Sequence, residues 1–125
     1  MSVLSREDLL SRRARRYKEV KLSSGEVARL QSLTELERSE YNMGLLDKKG
    51  DVNKKALTKA TQMLLVKMLV DGEGNRLFLD HESDLLADID SLDMEILGDA
   101  AREHIGFNRR DEALEKKSSS VDEPE

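Results

Sequence analysis

The densest apolar pattern in the chain lies between residues 53 and 80. Leu57, Thr61, Leu64, Leu65, Met68 and Leu69 recur at spacings of three and four, which places them on one side of a 3.6-residue helix. Ala60, Met63 and Val66 widen that arc beyond the stripe of a surface helix, so the pattern predicts a central helix over about 54–70 that is buried around much of its circumference. Val70-Asp71-Gly72-Glu73-Gly74-Asn75 then supplies turn chemistry. The run Leu77-Phe78-Leu79, too short for another helix, reads as the edge of a two-stranded ribbon over 70–79.

The flanking elements follow from shorter patterns. Ser5 before Glu7 and Asp8 fits an N-cap with acids in the first turn, opening a short helix to about Ala14. From Tyr17 to Leu22 apolar and polar residues alternate, Ser23-Ser24-Gly25 turns the chain, and alternation resumes from Val27, giving a β-hairpin of residues 16–22 and 26–32. An isolated hairpin is marginal, so this one needs something to pack on. Thr34-Glu35-Leu36-Glu37 is a capping box that starts a helix running through Leu36, Tyr41 and Met43 to about Leu45. Asp47-Lys48-Lys49-Gly50-Asp51 is a polar loop. Beyond the ribbon, Asp80 or Ser83 caps a short helix with Leu85, Leu86 and Ile89, and Ser91 caps another with Leu92, Ile96, Leu97, Ala100, Ala101 and Ile105. The expected fold is α+β and mainly α: an N-terminal hairpin and a small helical bundle around the central helix. It forms one domain over 1–108, followed by a charged, Ser-rich tail, 109–125, with the composition of a disordered segment.

Composition sharpens this picture in two ways. With 38% apolar, 38% charged and only 3% aromatic residues in 125, the core must be built mostly from Leu, Met, Ile, Val and Ala. The absence of cysteine excludes disulfide staples, thiol catalysis and Cys-type zinc sites. The N-terminus lacks the basic-then-apolar layout of a signal peptide and the longest apolar run is short of a bilayer span, so the expectation is a soluble, cytoplasmic chain with no membrane partner. The net charge of −5 is unevenly spread: residues 1–21 carry seven Lys/Arg against three acids, and residues 80–105 carry nine acids against one Arg. A basic arm can contact phosphates, but Arg12, Arg13, Arg15, Arg16, Lys18 and Lys21 have only Tyr17 among them to stack a base. A solvated helix end is the plainer reading, and no nucleic-acid partner is expected.

Candidate chemistry is sparse. Counted as a twelve-residue calcium loop from Asp71, the turn puts Glu73 third, Asn75 fifth and Glu82 twelfth, but Arg76 stands where the loop needs glycine, which disfavours a metal there. His81 and His104 have no second strong ligand at helical metal-binding spacing. Asp88, Asp90, Asp93 and Glu95 read as a solvated acidic face. There is no Gly-rich phosphate loop and no nucleophile set with supporting context, so neither an enzyme nor a cofactor is expected. The surplus apolar surface of the central helix suggests binding of a partner instead. Leu57, Met63, Leu64, Val66, Met68 and Leu69 are the candidate contacts, with Met able to repack around a partner helix.

Several passages, taken in order, resemble the tail assembly chaperone family of long-tailed bacteriophages: Leu4-Ser5-Arg6-Glu7-Asp8-Leu9-Leu10; the strand-to-helix passage Val27-Ala28-Arg29-Leu30-Gln31-Ser32-Leu33-Thr34-Glu35-Leu36-Glu37-Arg38; and the apolar helix from Leu64 that closes with Val70-Asp71-Gly72-Glu73-Gly74-Asn75-Arg76-Leu77-Phe78. The succession spans about residues 4–108. The resemblance implies a non-catalytic protein of the host bacterial cytoplasm that binds the tape measure protein, keeps it soluble, helps tail-tube protein assemble around it, and is absent from the mature virion. It also implies a longer form of the chain made by ribosomal frameshifting, for which Lys116-Lys117 is a candidate site. Self-association into a homo-oligomer is compatible with the surplus apolar surface. Two other readings stay open: a minor structural or connector protein retained in the phage tail, and a small calcium- or nucleic-acid-binding adaptor.

Overall fold

The computed structural model describes residues 3–106. The expected tail, 109–125, lies outside the described residues, as do Phe107 and Asn108. The order is α1 (Arg6–Leu10), a 3₁₀ turn (Ser11–Arg13), β1 (Tyr17–Lys21), β2 (Val27–Gln31), α2 (Glu35–Gly44), α3 (Lys54–Leu57), α4 (Ala60–Met68), β3 (Leu69–Val70), a 3₁₀ segment (Asp80–Asp88) and α5 (Ser91–His104). The α+β class, mainly helical, with an N-terminal hairpin and a small bundle around a central helix, is therefore what the chain adopts.

Local signals formed the elements they predicted. Ser5 and Thr34 each close a capping box: Asp8 and Ser5 exchange side-chain-to-amide bonds, as do Glu37 and Thr34. The hairpin pairs Lys18 with Leu30 and Val20 with Ala28, turns at Gly25 (φ +93°), and sets Val20 and Leu30 onto the core. Antiparallel order β1-β2-β3 leaves β2 in the middle of the sheet.

The central helix differs from its expected span at both ends. Its N-terminal turns are separate, because Asn53 caps α3, the Thr58 hydroxyl bonds back to the Lys55 carbonyl at 2.7 Å, and the chain leaves helical geometry at Lys59 before α4 begins. At the other end, α4 stops at Met68 because Leu69 and Val70 pair with Leu30 and Arg29 of β2. The carbonyls this exposes are claimed by side chains: Gln31 Nε2 donates to Lys67 O at 2.8 Å, and Arg76 Nε and Nη2 donate to Val66 O at 3.2 and 2.8 Å. The ribbon is corrected by the same pairing. Its strand is Leu69–Val70, bridged to Arg76, while Leu77 and Leu79 are exposed and only Phe78 packs against the core.

Two helix starts also move. The acidic segment after the ribbon is 3₁₀, begins at Asp80, and is capped by neither Asp80 nor Ser83; the Glu82 carboxylate instead accepts the Leu79 amide at 2.7 Å. Asp90, not Ser91, caps α5 by accepting the Leu92 and Asp93 amides. α5 then buries Leu97, Gly98 and Ala101. The core they join comprises Leu64, Leu65, Val66, Met68 and Leu69 from the centre, Leu30 and Val20 from the sheet, Tyr41 from α2 and Leu86 from the 3₁₀ segment.

Candidate partner-binding surface

Of the six residues expected to meet a partner, four sit inside the chain's own core. Leu64 and Met68 are 0% exposed, Val66 1% and Leu69 5%. The apolar arc of α4 is consumed by the 3₁₀ segment, by α5 and by α2, all of which pack on it. Leu57 is about half exposed and Met63 is partly buried, its terminal methyl resting beside Gly44 at the end of α2.

Those two lie next to apolar groups that periodicity did not single out. On a 3.6-residue helix Leu36 and Met43 fall about 20° apart while Tyr41 stands about 140° from Leu36. Tyr41 turns inward, so Leu36 and Met43 point out, 70% and 71% exposed. Immediately beyond, Leu46 and Val52 bridge across the 47–51 turn and Asn53 N donates to Leu45 O at 2.7 Å, which carries the chain back to α3. Both members of that bridge are exposed. Met43, Leu46, Val52, Leu57 and the edge of Met63 thus gather around the junction of α2, α3 and α4. Exposed Lys48, Lys49, Lys54 and Lys55 rim them and form no ion pair among the described residues. The signal was legible: Leu36 and Met43 are seven apart, on the helix side opposite the core tyrosine.

Beside this surface lies a charged cluster. Lys67, 8% exposed, donates to Asp80 at 3.2 Å and stands 3.7 Å from Glu40, and Arg76 reaches Asp80 at 2.7 Å. Glu40, Lys67 and Asp80, with Tyr41, Met63 and Val66, line a cavity of about 220 Å³. The Arg76 hydrogen bond, and then Lys67, hold the Asp80 carboxyl below its ordinary range against the opposing effect of burial. The cluster is an internal clamp that fastens the 3₁₀ segment to α4, since every charge in it has a partner.

Two of the four calcium-loop candidates, Asp71 and Glu82, spend their carboxylates on backbone amides. Asp71 Oδ1 accepts the amides of Asn75 and Glu73 at 3.0 and 2.8 Å, and these bonds lower its pKa. Glu82 is occupied by Leu79, and Gly74 supplies the positive φ (+88°) of the turn against the Tyr17 hydroxyl. Among the described residues no three His, Cys, Asp or Glu side chains are grouped to hold a metal ion. His104 joins α5 to the hairpin: its Nε2 lies 3.2 Å from Arg16 O, while Arg16 Nη2 donates to His104 O at 3.0 Å. Burial, with the charges of Arg16 and Lys18, pushes its pKa down. In the basic arm, Arg15 is held by Glu37 and Lys18 pairs with Glu103. No helix among the described residues is long and apolar enough to cross a membrane.

No protein-family model matches the chain, and no curated protein matches it in sequence. Among solved structures it is similar to the tail assembly chaperone of bacteriophage HK97, with a TM-score of 0.55 and 15% identity, over 72% of this chain and 85% of that one. The likeness extends over most of both chains and joins the elements built above in the same fold. The likeness is one of fold: the chain shares the fold of the HK97 tail assembly chaperone.

Proposed function

We propose that this chain is a phage tail assembly chaperone that binds the tape measure protein in the host bacterial cytoplasm, keeps it soluble and promotes assembly of tail-tube protein around it, without remaining in the virion. The fold shared with the HK97 chaperone is the observation that carries the reading. The apolar surface around Met43, Leu46, Val52, Leu57 and Met63 supports it, because a helical client with an apolar face needs such a complement. Leu64, Val66, Met68 and Leu69 reach a client only if the fold opens locally, so Leu57 and Met63 are the accessible members of the original six.

Co-expression with the tape measure protein of the same phage tests the proposal. Soluble yield of the client should rise, and Met43→Asp with Leu46→Asp should reduce that rise while leaving the chaperone folded. Client solubility that is indifferent to the chaperone refutes the reading. Mass spectrometry of purified virions separates it from a retained connector protein, which would be found in the particle. The proposal extends to a longer frameshifted form; the codons of Lys116-Lys117 must then allow a slip into an open second frame.

A further inference from the structure

A cleft of about 690 Å³ opens between residues 12–16 and 32–35. Its walls are arginines. Arg15 is satisfied by the Glu37 carboxylate and by Ser32 O at 2.8 Å. Arg12, Arg13 and Arg16 are exposed and form no ion pair among the described residues, with Glu35 as the one acidic residue lining the cleft. Ala14 and Leu33 add an apolar strip. Three guanidinium groups around one carboxylate leave the cleft short of negative charge, so its occupant should carry several carboxylates and a small apolar group.

The chain itself carries such a segment close by. α5 ends beside Arg16 of the cleft, whose Nη2 donates to His104 O; Arg38 Nη1 of α2 donates to Ile105 O, and Gly106 (φ +80°) turns the chain. Five residues further on comes Asp111-Glu112-Ala113-Leu114-Glu115, three acids around one leucine. An extended chain covers about 17 Å in that interval, and a tether this short holds its end at an effective concentration on the order of millimolar. Arg109 and Arg110 fall within the connecting stretch.

We propose that the cleft is the docking site for residues 111–115 of the same chain, with Asp111, Glu112 and Glu115 facing Arg12, Arg13 and Arg16 and Leu114 over Ala14 and Leu33. The inference goes beyond the chaperone reading and does not depend on it. Docking of this kind occupies a basic surface that would otherwise attract acidic partners, and it weakens with salt because the groups involved are exposed.

The absence of cysteine makes a direct test simple. A nitroxide on Ser118→Cys, in the otherwise unchanged full chain, should broaden the amide resonances of residues 12–16 and 33–35 to less than half their intensity at low salt, leaving the 47–57 region sharp. Neutralising the segment (Asp111→Asn, Glu112→Gln, Glu115→Gln), or adding about 0.5 M salt, should restore them. Reversal by Arg12→Glu with Arg13→Glu should also abolish the broadening, and Asp111→Arg with Glu112→Arg in that background should bring it back. Uniform or absent broadening overturns the proposal. So does broadening that passes from a labelled chain to an unlabelled, isotopically enriched one, which would assign the cleft to a second copy.

Discussion

Asp80 is where individual side chains decide most about this molecule. Its carboxylate answers Arg76 on one side and the nine-tenths-buried Lys67 on the other, and its pKa is lowered in the folded state. A group whose folded pKa lies below its unfolded one stabilises fully above the ordinary carboxylate range and loses that contribution as pH falls through the folded value. Because Asp80 is itself exposed, solvent screening limits what its ion pairs contribute, and Asp80→Asn should cost about 0.5–1 kcal/mol at neutral pH, chiefly by leaving Lys67 short of a charged acceptor. The gap from the parent should close as pH drops below about 4. Urea titrations at neutral and acid pH measure both parts; a gap of equal size at both would refute the ionic account. Thr34 is a second decisive residue. Thr34→Ala removes the acceptor for the Glu37 amide and loosens the carboxylate that also holds Arg15, so it should destabilise by about 1 kcal/mol in the same assay.

Among elements, α4 and α5 pack closely at Gly98. A Cβ at Gly98 would come within 2.9 Å of Thr61 Cγ2, and the threonine side chain, β-branched on a helix, has little freedom to move aside. Gly98→Ala should cost about 1–3 kcal/mol by overpacking. Thr61→Ser removes that methyl and keeps the hydroxyl that Arg102 Nη1 reaches at 3.3 Å, so the double variant should recover most of the loss. A double-mutant cycle without positive coupling would show the contact to be slack. The 3₁₀ segment Asp80–Asp88 is held differently, by Leu86 as its one buried residue and by the ion pairs of Asp80 and Asp84. Runs of 3₁₀ this long are uncommon because their hydrogen bonds are poorly aligned. Leu86→Ala should cost about 2–4 kcal/mol and speed amide exchange across 80–88 more than in α5.

For the whole molecule, the apolar surface at the α2–α3–α4 junction and the buried centre are distinct. Substituting Met43 and Leu46 with Asp should change stability by no more than about 0.5 kcal/mol, since both are exposed, yet it should cut rescue of a tape measure client. Thermal melts and soluble client yield, measured on one variant, separate a surface that binds from a core that supports. The likeness to the HK97 chaperone covers 72% of this chain.

Much of this architecture was legible in the residues. Capping boxes at Ser5 and Thr34, the Ser23-Ser24-Gly25 hairpin and the Asp71 turn depend on hydrogen bonds between near neighbours, which residue order alone specifies. The candidate contact surface was only half legible. Apolar periodicity marks which residues prefer burial, but it cannot say whether this chain or another supplies the cover. The fold decided that: Gln31 caps the end of α4 from 36 positions away, β2 draws Leu69 and Val70 out of the helix, and the 3₁₀ segment covers part of what remained. Because Tyr41 took the inward place on α2, Leu36 and Met43 were left outside. Local chemistry determined the elements; contacts between residues distant in sequence determined which apolar faces stayed open.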